Sequence, residues 1–219
     1  MEPNGIVLID KPANMTSFGV VARIRRVLSQ QIGKKAKVGH TGTLDPFATG
    51  LMILVTGKEC KKAGDYSKLD KVYEATFCLG KTSTTGDPEG DLTEISDAKP
   101  TIEQVKSTIS KFTGEIKQRP PIFSAIKVDG VRAYKLARDG KQVDIPERTV
   151  TVYSLELISY EYPFVKVRAH VSSGTYIRSL GADIGEYLGV GAYCTQLRRI
   201  SISNWSVVDA KQLTDFGVN

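Results

Sequence analysis

The sequence feature that most constrains the fold is a turn-rich polar segment joined directly to an apolar run. Residues 39–50 include three glycines and a proline, and residues 51–55 (Leu-Met-Ile-Leu-Val) are uninterrupted apolar positions. An apolar run this short, bounded by glycines, favours a buried strand over a helix. The polar segment is therefore predicted to be a loop anchored to the core of a β-sheet.

Asp45 is the only carboxylate in this loop, and Pro46 follows it directly. Proline fixes its own backbone and restricts the preceding residue to extended geometry, so Asp45 is held in a defined conformation. An Asp-Pro pair is also common in ordinary turns, where the carboxylate binds nearby backbone amides. The residues alone leave both interpretations open, a turn residue or a positioned catalytic carboxylate.

Length and composition exclude several classes of protein. A chain of 219 residues is compatible with one large domain or two small ones. It has no apolar run long enough to cross a bilayer. Its first residues lack a charged stretch followed by a long apolar region, so we expect no secretory signal. Cys60, Cys78 and Cys194 are far apart and lack CxxC spacing, which argues against a disulfide framework or a zinc site. We expect a cytoplasmic protein with no membrane association and no metal.

The charge pattern is compatible with a polyanionic partner. The net charge is +6 and the pI is about 9.1. Charge runs are usually solvated surfaces, but two basic clusters flank the candidate loop and favour phosphate contacts. The first cluster contains Arg23, Arg25, Arg26, Lys34, Lys35, Lys37, Lys58, Lys61 and Lys62, and the second contains Lys117, Arg119, Lys127, Arg132, Lys135, Arg138 and Lys141.

The loop sequence Gly39-His-Thr-Gly-Thr-Leu-Asp-Pro-Phe-Ala-Thr-Gly50 resembles the signature of TruB-type tRNA pseudouridine synthases. Enzymes of this family isomerise the uridine at position 55 in the T loop of tRNA. Further matches lie at Ile9-Asp-Lys-Pro12, Thr16-Ser17, Lys71-Val-Tyr73, Gly174-Thr-Tyr-Ile-Arg178 and Leu197-Arg-Arg-Ile-Ser201. The chain is thus identified as similar to this family over nearly its whole length.

The resemblance implies three catalytic residues. Asp45 matches the catalytic aspartate of the family, and Tyr73 matches an aromatic residue that stacks on the target base. Arg178 matches an arginine that pairs with that aspartate. An arginine in the first turn of a helix is mildly unfavourable with the helix dipole, which also hints at a partner. For Tyr73 the residues alone equally suit a half-buried tyrosine that supports the sheet.

Three further residues are predicted to support this site. Asp87 matches a family aspartate in an ionic network with the catalytic aspartate and arginine, although an Asp before Pro88 is also a common turn former. Lys11 lies in the first matched motif and is a candidate for supporting the active cleft, or is a plain surface lysine. Leu197 matches a leucine that packs beneath the site, which any core leucine could do.

RNA binding is predicted to use the loop and the second basic cluster. His40 matches a histidine that fills the space left by flipped nucleotides. Arg119, Lys127 and Arg132 lie in residues 118–147, which resemble the substrate-clasping insertion of the family. Basic side chains of this kind bind phosphates and make affinity fall with salt.

Local patterns together with the resemblance predict an α+β fold. Residues 5–9 and 71–80 are typical of strands, and residues 149–160 and 164–171 are typical of a hairpin. Helices are predicted after Ser17 as N-cap, after Thr101 as N-cap, and from residue 172. The resemblance implies a mixed, mostly antiparallel sheet flanked by helices, with a central active-site cleft. We expect a single catalytic domain over residues 1–219, without the C-terminal PUA domain of many relatives.

The implied reaction breaks a C–N glycosidic bond and makes a C–C bond, with no net redox change, so no cofactor is expected. Whether Asp45 attacks the ribose or the base is left open. The expected partner is tRNA, bound by a monomer. Two alternatives remain, a guide-RNA-dependent pseudouridine synthase subunit and a catalytically silent tRNA-binding or chaperone module.

Overall fold

The computed structural model describes residues 2–124, 126–128, 130–138 and 144–218. The strands of this part, in chain order, are β1 (Gly5–Lys11), β2 (Val38–His40), β3 (Thr49–Thr56), β4 (Lys71–Leu79), β5 (Lys81–Ser83), β6 (Leu92–Glu94), β7 (Gly114–Gln118), β8 (Lys127–Val128), β9 (Val131–Arg132), β10 (Arg148–Glu161), β11 (Phe164–Val171), β12 (Ala192–Ile202) and β13 (Trp205–Ser206). The helices are α1 (Ser17–Ile32), α2 (Ala63–Ser67), α3 (Ile102–Lys111), α4 (Ala133–Arg138) and α5 (Ile177–Tyr187), with 3-10 segments at Gly57–Lys62, Val207–Asp209 and Leu213–Phe216.

Backbone contacts divide the chain into two compact units. The first unit contains Met1–Tyr73 and Arg198–Asn219, and the second contains Glu74–Leu197. Strands β4 and β12 each contribute residues to both units. The prediction of a single catalytic domain stays a prediction.

The sheet of the first unit is centred on β3. Strand β1 pairs with β3 in antiparallel register, with Gly5 opposite Thr56 and Lys11 opposite Gly50. Strand β2 is also antiparallel to β3. The end of β12 is parallel to the start of β3, with Arg198 opposite Thr49. The sheet is therefore mixed and mostly antiparallel, as predicted.

The predicted buried strand is confirmed in β3, where residues 51–55 are all buried. Leu51, Ile53 and Val55 pack with Ile202 on one face of the sheet. Full burial of an aliphatic side chain stabilises a fold by roughly 1.5–3 kcal/mol, so this run is a major source of stability. The polar loop before β3 is thus joined directly to a buried core strand of the unit.

Helix α1 follows the predicted apolar pattern and buries Val20, Val21, Ile24 and Leu28. Its N-cap is Thr16, whose hydroxyl accepts a 3.0 Å hydrogen bond from the Gly19 amide. The prediction of Ser17 as the N-cap was wrong by one residue, because the Ser17 hydroxyl is hydrogen-bonded to the backbone of Leu44. The helix ends at Gly33, where φ is +68°, a left-handed conformation that glycine adopts without strain.

In the second unit the strand order is β12, β4, β11, β10 and β7. Strands β10 and β11 form the predicted antiparallel hairpin, and β7 pairs with the outer edge of β10. Helix α3 begins at Thr101 with a complete capping box, as the N-cap prediction required. Helix α5 packs closely on the sheet, since a Cβ atom at Gly181 would lie 2.4 Å from the Phe77 ring.

These features confirm the α+β prediction of a mixed, mostly antiparallel sheet with flanking helices. The predicted insertion, residues 118–147, is described only in part, and residues 125, 129 and 139–143 lie outside the described residues. The described part of this segment contains the short helix α4. None of the helices in the described ranges is long and apolar enough to cross a membrane.

Candidate active site

The loop that carries Asp45 is held by three buried side chains from distant parts of the first unit. Arg199 donates to the carbonyl of Gly42, and Lys11 donates to the carbonyl of Pro46. Between them, the Ser17 hydroxyl donates to the Leu44 carbonyl and accepts from the Leu44 amide. The backbone is thus anchored at alternate positions on both sides of Asp45.

Lys11 is the central anchor of this loop. Its side chain is 0% exposed, and its ammonium group donates to the carbonyls of Pro12 (2.8 Å), Met15 (2.6 Å) and Pro46 (3.1 Å). Burying a charge is unfavourable unless it is hydrogen-bonded, and these three acceptors meet that need. The interpretation of Lys11 as a plain surface lysine was wrong, because this last residue of β1 is fully buried.

Arg199 is the second buried cation and is 1% exposed. Its Nε atom donates to the Leu51 carbonyl at 2.6 Å, and its Nη2 atom donates to the Gly42 carbonyl at 3.2 Å. The β12 backbone at Arg199 also lies against Gly50, where φ is +105° and a Cβ atom would lie 2.3 Å from the Arg199 carbonyl oxygen. Glycine is therefore required at this end of the loop.

Asp45 itself is only partly buried. Its carbonyl accepts a 3.1 Å hydrogen bond from the Ala48 amide, which closes a tight turn around Pro46. The backbone of Asp45 therefore closes this turn. A rigid backbone with an accessible carboxylate suits a group that acts on a substrate.

Tyr73 lies on the buried side of β4 and is 8% exposed. The alternation of this strand places Lys71 on the same side. Burial, together with the positive charge of Arg199 and against the opposing effect of Asp70, lowers the pKa of Lys71 to about 8. Tyr73 therefore lies on the buried face of β4, and its stacking role stays a prediction.

In the second unit, Arg178 and Asp87 form a buried ion pair. Nη1 of Arg178 lies 3.0 Å from Oδ2 of Asp87, and the two residues are 3% and 4% exposed. The guanidinium also donates to the carbonyls of Thr85 (2.6 Å) and Phe123 (2.9 Å). Asp87 accepts from the Glu89 amide at 3.0 Å. The structure thus contains an Asp87–Arg178 ion pair, and the predicted network that also includes Asp45 stays a prediction.

The start of α5 is held by two residues that are directly opposite each other on β7 and β10, Gln118 and Arg148. The Gln118 amide donates to the Tyr176 carbonyl at 2.9 Å and accepts from the Tyr176 amide at 2.7 Å. Arg148 lies over the Tyr176 ring and donates to the carbonyl of Gly174. Since Tyr176 is the N-cap of α5, these contacts fix the turn from which Arg178 projects.

Leu197 and His40 both lie in strands. Leu197 is buried in β12. His40 is the last residue of β2 and lies immediately before the anchored loop, with its side chain partly exposed. The packing role of Leu197 beneath the site and the wedge role of His40 stay predictions.

The predicted RNA-binding residues of the second unit lie on its surface. Arg119 is exposed and pairs with Asp144 at 2.9 Å and with Glu147 at 3.7 Å. Exposed ion pairs of this kind contribute at most about 1 kcal/mol, so a phosphate could replace the carboxylates. Arg132 is exposed in β9. Lys127 lies in β8, and its side chain lies outside the described part of the structure.

Within each unit, the structure brings predicted residues together. Lys11 lies beside the turn of Asp45 in the first unit, and Asp87 binds Arg178 in the second. The pairing of Asp45 with Arg178 stays a prediction.

Sequence reasoning missed Ser17, Arg199 and Gln118 as anchors. Ser17 and Arg199 lie inside the family motifs quoted above. Those motifs could have identified the two residues as candidates, whereas the local apolar periodicity could not. Gln118 begins the predicted insertion and carried no separate signal. Across the described ranges, no group of three or more His, Cys, Asp or Glu side chains is placed to hold a metal ion.

Comparison with known proteins places this arrangement in a family. Residues 25–177 match the family model described as TruB family pseudouridylate synthase (N terminal domain). The chain belongs to the TruB family. The match includes the anchored loop, β4, the Asp87 segment and the start of α5.

Individual relatives agree with membership of the TruB family. The chain is 43% identical to a tRNA pseudouridine synthase B of Corynebacterium efficiens, over all of this chain and 74% of that protein. It is 44% identical to the tRNA pseudouridine synthase B of Geobacter sulfurreducens, over 90% of this chain and 64% of that protein. The chain thus spans between two thirds and three quarters of the length of the first relative, and just under two thirds of the second.

Solved structures place the TruB-family chain in the same fold. It matches a chain in the crystal structure of a Cbf5-Nop10-Gar1 complex with a TM-score of 0.75 and 29% identity, over 97% of this chain and 53% of that chain. It also matches a chain in the structure of an H/ACA RNP bound to a substrate RNA containing 2′-deoxyuridine, with a TM-score of 0.72 and 27% identity, over 97% and 52% of the two chains.

Proposed function

We propose that this chain is a tRNA pseudouridine synthase that isomerises the uridine at position 55 of the T loop. The observation that carries the proposal is the anchoring of the Asp45 loop by Lys11, Ser17 and Arg199. A catalytic carboxylate must be held in place while its side chain remains accessible, and this loop meets both requirements. The reaction and the RNA are those named for the relatives at 43–44% identity.

The reaction is an isomerisation in which one bond replaces another. The N1–C1′ bond of uridine breaks, the uracil turns within the site, and a C5–C1′ bond forms. The proton on C5 is then lost, and N1 gains a proton. Atoms and electrons balance within the nucleotide, so the protein needs to supply only a nucleophile or anionic stabiliser, a proton acceptor and a means of retaining the detached base.

In this proposal Asp45 supplies the carboxylate, as nucleophile or as stabiliser of the developing positive charge. Arg178 pairs with Asp45 and keeps the carboxylate ionised and oriented. Asp87 and the carbonyls of Thr85 and Phe123 bind the Arg178 guanidinium. Because this guanidinium is fixed before substrate binds, it needs no reorganisation during the reaction.

Tyr73 stacks on the uracil ring and serves as, or relays to, the base that removes the C5 proton. The target nucleotide must leave the T loop before it reaches the site, at a cost of about a few kcal/mol for unstacking. His40 fills the space that the everted nucleotides vacate. The chain acts as a cytoplasmic monomer on free tRNA and uses no cofactor.

The test is a tritium-release assay on an unmodified tRNA transcript that carries tritium at C5 of uridine. Incubation with the purified protein alone should release tritium to solvent, with one equivalent per tRNA at completion. Mapping of the product should place pseudouridine at position 55 of the T loop. Absence of release, with folded protein that still binds the transcript, would support a catalytically silent RNA-binding module instead.

A guide-RNA-dependent activity is the second candidate, since the two solved structures described above contain Cbf5 or an H/ACA RNP. The same assay separates the candidates. Turnover without any guide RNA supports the tRNA enzyme, whereas turnover only after addition of a guide RNA and its protein partners supports the second candidate.

A further inference from the structure

The segment that follows β7 in the second unit is fixed along the start of α5. The two hydrogen bonds of Gln118 described above hold its first residue. The Ser179 hydroxyl donates to the Arg119 carbonyl at 2.9 Å, and Arg178 donates to the Phe123 carbonyl. The whole segment is therefore held against the helix that carries the Arg178 guanidinium.

Two prolines and a tight turn limit the freedom of this segment further. Pro120 and Pro121 have fixed φ angles. The Ser124 amide donates to the Ile122 carbonyl at 2.9 Å, which closes a turn of three residues. The backbone therefore fixes the position of Ser124, one residue beyond the carbonyl that binds Arg178.

The side chain of Ser124 is buried without a polar contact. Ser124 is 6% exposed, and its Oγ atom has no hydrogen-bond partner among the described residues. A hydroxyl has one donor and two acceptor sites, and leaving them all unused in a protein interior is unfavourable. Alanine at this position would avoid that cost with the loss of a single heavy atom. Buried polar groups without partners are rare, so this one needs an explanation.

The neighbouring residues indicate where the missing partner comes from. The Phe123 carbonyl, which belongs to the peptide bond joining Phe123 to Ser124, accepts from Nη2 of Arg178 at 2.9 Å. Arg178 and Asp87 are themselves buried. The unsatisfied hydroxyl thus lies beside the charged group that the proposed function assigns to the reaction. A nucleotide that enters this site supplies the partner that the free protein lacks.

We propose that the Ser124 hydroxyl binds the uracil base of the everted nucleotide. The proposal rests on the proposed function and adds a residue that holds the base. A base that has left the stack is bound inside the protein through hydrogen bonds to its polar edge. A phosphate is a poor partner here, because its charge is costly to bury and a neutral hydroxyl does not balance it.

A hydroxyl also suits the change in the base during the reaction. The polar edge of uracil alternates carbonyl acceptors with an N–H donor, and a hydroxyl binds either kind of group. Ser124 can therefore hold the uracil both before and after it turns. This contact helps to retain the base while the N1–C1′ bond is broken.

The first measurement is the thermal unfolding of Ser124→Ala without RNA. Removal of a hydroxyl that has no partner should raise the Tm by about 2–4 °C. Ser172→Ala in the same unit is the matched control, because the Ser172 hydroxyl accepts from the Thr151 amide at 2.9 Å and its loss should lower the Tm. An unchanged or lower Tm for Ser124→Ala would overturn the proposal, since the hydroxyl would then have a partner within the folded chain.

The second measurement compares the binding of two tRNA transcripts, one with uridine at position 55 and one with an abasic ribose there. Both are bound to the Asp45→Asn chain, so that the uridine stays unreacted. Adding Ser124→Ala should weaken binding of the uridine transcript about five- to tenfold, the effect of one lost hydrogen bond. Binding of the abasic transcript should stay the same.

Ser124→Cys is the second variant, because a thiol fills similar space but is only a weak donor and acceptor. It should show the same loss as alanine. An equal loss with both transcripts would overturn the proposal, because the hydroxyl would then contact the sugar or phosphate. No loss with either transcript would also overturn it, because the hydroxyl would then have no role in holding RNA.

Both measurements are made without turnover, so their outcome is separate from that of the proposed function. A loss that depends on the base supports the role of Ser124 even if the unmodified chain releases no tritium. Tritium release by the unmodified chain, together with equal binding by the variants and their parent, would leave the proposed function standing and overturn the role of Ser124.

Discussion

The ammonium group of Lys11 lies 3.1 Å from the carbonyl oxygen of Pro46, so a fully buried cation holds the residue that follows Asp45. This contact joins the end of β1 to a loop 35 positions further along the chain. This contact gives a physical reason why the chain contains both motifs. The motif at residues 39–50 supplies the Asp45 carboxylate, and the motif at residues 9–12 supplies the Lys11 ammonium group that holds the loop of Asp45.

We expect Lys11→Met to lower both stability and turnover. The variant keeps the apolar stem but leaves three carbonyls without their donor, and a buried unsatisfied group costs about 1–3 kcal/mol. Denaturant unfolding and single-turnover kinetics measure the two effects. Lys68→Met, at an exposed position, is the control. A normal single-turnover rate for Lys11→Met would show that the loop needs no such anchor.

Asp45→Asn should abolish catalysis and spare binding. The amide keeps the size and the turn, because the turn uses the Asp45 carbonyl, but it cannot act as an anionic nucleophile. We expect turnover to fall by at least about a thousandfold, as for other catalytic carboxylates and nucleophiles, with little change in tRNA affinity. Asp65→Asn on α2 is the matched control. Tritium release at the normal rate would remove Asp45 from its role.

Arg178 can be tested for stability and catalysis separately. Arg178→Met leaves Asp87 buried without its partner, which should cost about 3–5 kcal/mol of unfolding free energy. Adding Asp87→Asn removes the unpaired charge, so the double variant should regain much of that stability. Turnover should stay at least about a hundredfold low in both variants, since the guanidinium that stabilises charge is missing. Recovery of activity in the double variant would show a purely structural role.

Gln118→Met tests the turn before α5. Gln118 makes two hydrogen bonds to the Tyr176 backbone, and their loss from a buried position should cost about 1–3 kcal/mol or more. We also expect a lower turnover, because Arg178 follows two residues later. Gln196→Met, at an exposed position of β12, should change neither quantity. Thermal unfolding and tritium release measure both, and a stable, fully active Gln118→Met protein would contradict the prediction.

A pH-dependent stability is expected from Asp183. Burial, together with the negative charges of Glu186 and Glu147, raises the pKa of Asp183 to about 6 from its ordinary value of 3.8. Folding therefore favours the protonated form. The stabilisation is complete below about pH 4 and is lost as the pH rises through 6.

Asp183→Asn removes this dependence. We expect the variant to be more stable than the unmodified protein at pH 8 by about 1 kcal/mol, after allowance for partial exposure, and to match it at pH 4. Unfolding curves at the two pH values check the sign. A variant less stable at pH 8 would contradict the assignment.

Local pattern was enough to predict many elements. The apolar spacing of α1, the continuous run of β3 and the alternation of the β10–β11 hairpin are each confirmed. Their signals are short-range, because they depend only on which face of one helix or strand is apolar. The family and the fold class, which depended on the motifs, are also confirmed.

Strands β7 and β12 were not predicted, and their residues explain why. Strand β7 is short and has charged residues at alternate positions, and β12 contains Arg198 and Arg199 in its second half. Charged residues in a strand indicate exposure when only the sequence is considered. Arg199 is nevertheless buried, because the carbonyls of Leu51 and Gly42 accept its hydrogen bonds.

The amino-acid sequence alone determined the family and a polar loop with one carboxylate, attached to an apolar strand. Only the tertiary structure decided which side chains hold that loop. They are the buried side chains of Lys11, Ser17 and Arg199. The reason is that a charge is stable inside a protein only where acceptors converge on it, and these acceptors come from distant positions. Arg199 and Leu51 are 148 positions apart, a relationship that no local pattern contains.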